Sequence, residues 1–267
     1  MNTDISPMLR EWEFDPHANI RRITTEDGAA VIQVRVDQGA FQGILQVHLD
    51  GRPDGRRPHG MAFALDHFRA LRDRYVAEHG TDDGFVLAPR DCQELFDEST
   101  RIYGRYVFLL QLKDYARVVR DTERNMEVFR FVRRYAEREE DGQNLEKWWP
   151  YILRIHAVAR AMMAADAEDY AGAIAIVRQA QEEIAALTPV EAEEFHAELE
   201  RSQQALKELQ AELEARKPRS RREILERRLA EAVEREEFER AAVLRDELRK
   251  LSAPAESQAD PPASPAG

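Results

Sequence analysis

The sequence predicts a mainly α protein: a small N-terminal β region, a helical bundle, one long helix, a C-terminal helical hairpin and a disordered tail. Three observations carry this. Charged residues make up 34% of the 267 residues and hydrophobic ones 43%, a charged share above the usual level of roughly 25%, as expected of helices with solvated faces. Glycine and proline number only 12 each, too few for a loop-rich β protein. From Met61 onward, apolar residues recur at spacings of three and four, the period of a one-sided helix.

Residues 13–59 hold the β-like segments. Ile20 and Ile23 precede Glu26-Asp27-Gly28, a turn signal suited to positive φ at Asp27 and Gly28, and Val31–Val36 follow it. Alternation from Ile32 places Ile32, Val34 and Val36 on one face and Gln33 and Arg35 on the other. A second run, Ile44–Leu49, leads into the Gly-, Arg- and Pro-rich loop Asp50–Gly60. So few strands need helices to pack on. The loop could cradle an anion, but it lacks the strand–loop–helix phosphate motif and reads as a connector.

The expected organisation is 1–60 as the β region, 61–187 as the bundle, 188–216 as the long helix, 217–251 as the hairpin and 252–267 as a disordered tail. Met61, Leu65, Phe68, Leu71 and Tyr75 mark a first helix stopped by Gly80. Pro89 opens the next, Asp114 caps a third, and the polar stretch Glu137–Asn144 separates these from a second helix pair. That pair covers Pro150–Ala165 and Tyr170–Leu187, with Asp169 as cap. Trp148-Trp149-Pro150-Tyr151 reads as a core anchor at a helix start, and the lone Cys92 as structural. The second pair resembles a tetratricopeptide hairpin at Ala161, Tyr170, Ala173 and Ala180. The first pair matches only at Tyr115, and the corners lie 55 residues apart, not about 34. The resemblance therefore implies a degenerate tetratricopeptide-like bundle.

Thr188-Pro189-Val190-Glu191 has the form of a capping box opening a helix to Arg216. Its Phe195, Leu199, Ser202, Leu206, Leu209 and Leu213 follow a coiled-coil spacing interrupted by a serine. Either a dimer seam or a helix lying on its own bundle would use it. A second capping box, Ser220 and Glu223, opens the hairpin.

Net charge is -12, with 51 acidic against 39 basic residues, which opposes wrapping of nucleic acid. Residues 217–251 hold eleven basic and nine acidic residues, a net of +2, leaving -14 elsewhere. The alternating signs suit solvated helix faces and do not favour direct nucleic-acid binding. One cysteine excludes an intrachain disulfide and paired-cysteine zinc sites. The polar Met1–Arg10 lacks the apolar run of a secretory signal, and no stretch has membrane-span length. A cytoplasmic protein is expected. The seven histidines show no metal-ligand spacing and no nucleophile or acid–base signature, so no catalytic residue, cofactor or metal is assigned.

Residues Ile224–Leu251 carry the most specific pattern. Leu225, Leu229, Ala232 and Val233 line one face of a first helix, and Ala241, Leu244, Leu248 and Leu251 one face of a second. The turn falls near Arg235–Glu237, and Phe238 and Ala242 lie beside the shared face. With Glu237-Phe238-Glu239, Ala241-Ala242 and Leu244-Arg245-Asp246, this segment resembles the UVR motif of excinuclease B and C subunits. The whole architecture resembles bacterial proteins with a helical body and a terminal UVR motif. The resemblance implies association with another UVR-bearing protein or a second copy through Leu225, Leu229, Val233, Phe238, Ala241, Ala242, Arg245 and Leu248. It carries over no helicase phosphate loop, nuclease domain or zinc-binding cysteine pair. The expected function is a non-enzymatic adaptor. The alternatives are an accessory of nucleotide excision repair acting through the excinuclease, and a ligand-binding or enzymatic module in the N-terminal body.

Overall fold

Apolar alternation and helical periodicity meet in a three-stranded antiparallel meander laid against helices, seen in a computed structural model that describes residues 4–218 and 221–252. A short helix α1 (Ser6–Glu11) precedes β1 (Ile20–Thr24), β2 (Ala30–Gln38) and β3 (Phe41–His48). The first turn keeps Gly28 at φ 84°. Asp27 is not among the residues of positive φ; it instead accepts a hydrogen bond from the Thr25 hydroxyl. The second turn has two residues, with Gly39 at φ 58° in the position a tight hairpin reserves for glycine.

Ile32 and Val34 face the helices as the alternation requires. The opposite face is covered too, so Gln33 and Arg35 are buried. Arg21 donates to Gln33, which donates to Gln46 (3.0 Å), forming an amide ladder across all three strands. The Arg21 guanidinium lies over the Trp12 ring at 4.1 Å. Arg35 donates to the Trp12 and Val36 carbonyls. A polar face is buried here because every group on it has a partner.

The helices follow as α2 (Ala64–His79), α3 (Pro89–Gln111), α4 (Tyr115–Tyr135), α5 (Glu139–Glu146), α6 (Trp149–Asp166), α7 (Tyr170–Ala185), α8 (Glu193–Arg216), α9 (Arg221–Glu234) and α10 (Phe238–Ser252). Gly80 ends α2 at φ 80°, and Pro89 opens α3. Asp114 and Asp169 cap α4 and α7 by accepting from Arg117 N (3.4 Å) and Gly172 N (2.8 Å).

Two expectations need correction. The stretch 137–144 does not merely separate helices: α5 forms over Glu139–Glu146, with an acidic first turn, a Leu145 anchor and Asp141 held by Arg138 in two bonds of 2.9 Å. The capping box at Thr188 does not form. α8 starts at Glu193, its first turn accepted by the Ala192 carbonyl, because residues 186–192 are spent connecting α7 to α8. The Ser220–Glu223 capping box and the tail expected beyond residue 252 lie outside the described residues.

Three apolar clusters build the body. Ile32, Val34 and Leu49 pack on Ile102, Tyr106, Val118 and Ile155. α2 to α6 share Leu65, Phe68, Leu95, Phe129 and Ile152. α6, α7 and α8 share Ala161, Ala173, Val177, Ala180, Leu206 and Leu213. The α8 seam thus lies on its own bundle. The interrupting Ser202 is fully buried; it donates to the Pro150 carbonyl (3.0 Å) and accepts from Arg154 Nε (3.1 Å).

Buried charge fixes the sheet to the helices. Arg105, 1% exposed, makes a fork-like pair with Asp121 (2.6 and 2.8 Å) and donates to the carbonyls of His48 (3.0 Å) and Gly51 (2.6 Å). Glu98, fully buried, accepts from the backbone of Ala64 (2.7 Å) and Leu65 (3.2 Å), capping α2 from α3. Burial pushes its pKa up, and these donors oppose that. Arg52 pairs with Asp54 and lies 3.9 Å from Glu98, while Arg101 reaches Asp54 from α3. The loop after β3 is therefore strapped to α3 by ion pairs.

The α3–α4 and α6–α7 corners are built alike. Each connects its helices by three residues. The middle residue is left-handed, Lys113 (φ 56°) or Glu168 (φ 62°). Asp114 N donates to Leu109 O and Lys113 N to Leu110 O; Asp169 N and Glu168 N repeat the pattern to Ala164 O and Ala165 O. This is a Schellman ending followed at once by an acidic cap. The body ends, by contacts, between Ala215 and Arg216, where a second compact unit begins.

Three measurements test this account. Arg105→Met leaves the buried Asp121 with only the more exposed Arg120 beside it, at 3.0 Å, and should cost about 3 kcal/mol in urea unfolding, with Asp121→Leu in that background restoring part of the loss. Lys113→Gly relieves a left-handed side chain and should stabilise by about 0.5–1 kcal/mol, seen as a higher Tm. Cys92 is fully buried, and burial with the nearby Asp141 and Asp91 pushes its thiol up to about 11. Iodoacetamide at pH 8 should therefore alkylate the native protein on the order of 100-fold more slowly than the denatured one.

Candidate functional site

Ile224–Leu251 folds as the expected hairpin: α9, a turn at Arg235–Glu237, and α10. The turn repeats the corner geometry of the body. Glu236 is left-handed (φ 57°), Glu237 N donates to Ala232 O (2.8 Å) and Glu236 N to Val233 O (3.0 Å). Glu237 stands where Asp114 and Asp169 stand, and pairs with Arg240 (2.9 Å) one turn on. The next residue is aromatic in all three corners: Tyr115, Tyr170 and Phe238.

The helices meet through Leu225 (4% exposed), Ala232 (2%), Ala241 (8%) and Leu244 (8%), with Leu229 and Leu248 partly buried against them. Small residues beside the turn let the backbones approach, and leucines fill the space where the helices run further on. Of the residues singled out for partner contact, Leu225 and Ala241 are thus spent inside the hairpin, while Leu229, Ala242 and Leu248 are half-buried. Arg245 and Asp246 sit in solvent 3.5 Å apart, a pair worth under about 1 kcal/mol.

The structure departs from the expected internal face at two positions. Val233 is 54% exposed and Leu251 47% exposed. A two-helix contact occupies a narrower stripe than the full apolar face of each helix. Ala232 takes the inner position and turns Val233 outward. Phe238 is 70% exposed, the most open large apolar side chain among the described residues, and Val243 on α10 is 59% exposed. Tyr115 and Tyr170, its counterparts in the body corners, are partly buried against apolar clusters. The polar faces carry helical ion pairs, Arg222–Glu226 at 2.7 Å and Arg227–Glu231 at 3.6 Å.

Elsewhere, Trp149 anchors the start of α6 edge-on to Phe129 (5.4 Å), whereas its neighbours Trp148 and Tyr151 face a cavity in the body. Sequence reading missed that cavity's lining residues on α3 and α4, because none of them forms a motif. Among the described residues no three His, Cys, Asp or Glu side chains converge as a metal site requires, and no helix is long and apolar enough to cross a membrane. No curated protein and no solved structure matches the chain. Residues 223–253 match the family model described as UvrB/uvrC motif, so the α9–α10 hairpin is a UVR motif.

Proposed function

We propose that the protein is a non-enzymatic adaptor whose UVR hairpin associates with the UVR hairpin of another protein or of a second copy of this chain. The observation that carries this reading is Phe238. The same corner, built twice in the body, packs its aromatic residue, and in the hairpin leaves it 70% exposed. Val233 and Val243 add apolar surface on α9 and α10. A hairpin whose own core holds four buried side chains gains from apolar surface supplied by a partner. The +2 charge of residues 217–251 against -14 elsewhere supports contact with a protein rather than with a polyanion along the body. Cys92 is buried with its thiol pushed up to about 11, which opposes a role for it as a nucleophile.

The matched motif favours one second reading, in which the captured protein is an excinuclease subunit and the chain serves nucleotide excision repair. Sedimentation of the full-length chain, alone and with purified excinuclease B subunit, separates the two. Association should appear in one of these experiments, and Phe238→Ala should weaken it by about 1–3 kcal/mol, the cost of truncating a central aromatic anchor. Undiminished association after deletion of residues 217–251 would end this reading.

A further inference from the structure

The sheet of the body ends in a strand with a free side. Among the described residues β3 pairs with β2 alone. Leu49 N donates to Ala30 O, which sets the phase of the antiparallel ladder. Counting back from there, Gln42, Ile44 and Gln46 direct their N–H and C=O groups away from β2. His48, next in that row, is closed off, because its N–H donates to Pro53 O (2.9 Å).

This edge carries none of the charges or prolines that commonly blunt one. Residues 38–49 run without a single Asp, Glu, Lys, Arg or Pro, in a chain that is 34% charged. Its apolar side chains are open as well. Leu45 stands opposite Val34 in the register, yet Val34 is 4% exposed and Leu45 48%. β3 thus overhangs the helices that β2 packs on. Phe41, 58% exposed, lays its ring over Gly43, where an added Cβ would meet Phe41 Cζ at 2.9 Å. On the opposite face the amide ladder from Arg21 through Gln33 stops at Gln46, whose Oε1 accepts from Gln33. Nothing among the described residues accepts from Gln46 Nε2 at the end of that ladder.

We propose that β3 pairs with β3 of a second copy of this chain, antiparallel about a two-fold axis at Ile44. Two three-stranded sheets then become one of six strands. Centring on Ile44 sets Ile44 opposite Ile44 and Gln42 opposite Gln46, so all three outward residues of each copy find backbone partners. A slip by two residues leaves one of the three unpaired. On the polar face, Gln46 Nε2 meets Gln42 Oε1 of the second copy and carries the ladder onward. That oxygen accepts only from Arg35 at 3.4 Å, and a carbonyl has two lone pairs. On the apolar face, Leu45 comes opposite Gly43 of the second copy, whose missing side chain leaves it room beside the Phe41 ring. Charge selects this occupant: copies of net charge -12 repel each other, and β3 brings an uncharged edge from both sides. The contact lies on the body and stands independently of Phe238. Its area places it in the weak class, below about 1,200 Å² of buried surface.

Sedimentation equilibrium of the full-length Phe238→Ala protein, from micromolar to near-millimolar concentration, tests this with the hairpin's exposed aromatic removed. A monomer–dimer equilibrium should appear, and Leu45→Lys in that background should weaken it at least about tenfold by charging the edge. If Leu45→Lys disturbs the fold, Gln46→Pro serves instead, since it removes an outward N–H and leaves the backbone ladder to β2 intact. Amide hydrogen exchange followed by NMR should slow at Gln42, Ile44 and Gln46 as protein concentration rises. Association through the hairpin alone produces no such change. The proposal is overturned if the Phe238→Ala protein stays monomeric, or if its dimer survives both edge variants. Exchange at the three amides that does not vary with concentration overturns it too, whether they are open throughout or already protected in the monomer by another segment of the chain.

Discussion

A guanidinium buried at the junction of sheet and helices sets the terms for the rest of the body. Arg105 on α3 meets Asp121 on α4 and the two carbonyls at the end of β3, so one side chain ties three elements together. A charge taken out of water demands both a counter-charge and filled donor positions, and those partners must be delivered by backbone that cannot drift. The sheet supplies carbonyls because it ends there. Arg120 then bridges Asp121 to Asp50 and to the Leu49 carbonyl, reinforcing the same point from the outside. A three-stranded meander would be marginal by itself. It holds its place because its end is a ligand shell for Arg105 and its apolar face a lid on α3, α4 and α6.

Much of this was legible one residue at a time. Gly80, Pro89, Asp114 and Asp169 mark helix ends through backbone chemistry that acts within a few residues, and each does so in the structure. The strands and the hairpin turn were readable for the same reason. Helix α5 was not, because its stability is tertiary: one leucine, a salt-bridged aspartate, and Gly142 packed on Arg133. That the polar face of the sheet is covered was not legible, since what covers it is Trp12, joined to Arg21 and Arg35 by contacts with no period. The start of α8 was missed because Thr188 has the right neighbours for a cap, and only the packing of the connection decides whether it is used. In the hairpin, Ala232 and Val233 are both good choices for the position after Leu229, and helix spacing alone does not choose between them. The cavity was beyond reach, being assembled from five helices that share no motif.

The three helix corners show how one local solution serves different ends. Each stops a helix with a left-handed residue, follows it with an acidic residue, and projects an aromatic ring from the first position of the new helix. Where a third element lies within reach, the ring is absorbed into the core, as with Tyr115 and Tyr170. In the hairpin the ring lies open. Geometry is inherited from the corner, and function follows from what stands opposite.

Ser202 shows a related economy. In a run of leucines it lowers apolar burial, yet its hydroxyl is satisfied only by Pro150 and Arg154. Sliding α8 by one turn, or rotating it by one residue, would strand that hydroxyl among methyl groups. The serine therefore acts as a key cut for one lock: it sets the axial register of α8 against α6. An all-leucine seam would adhere more strongly and discriminate less between one register and the next.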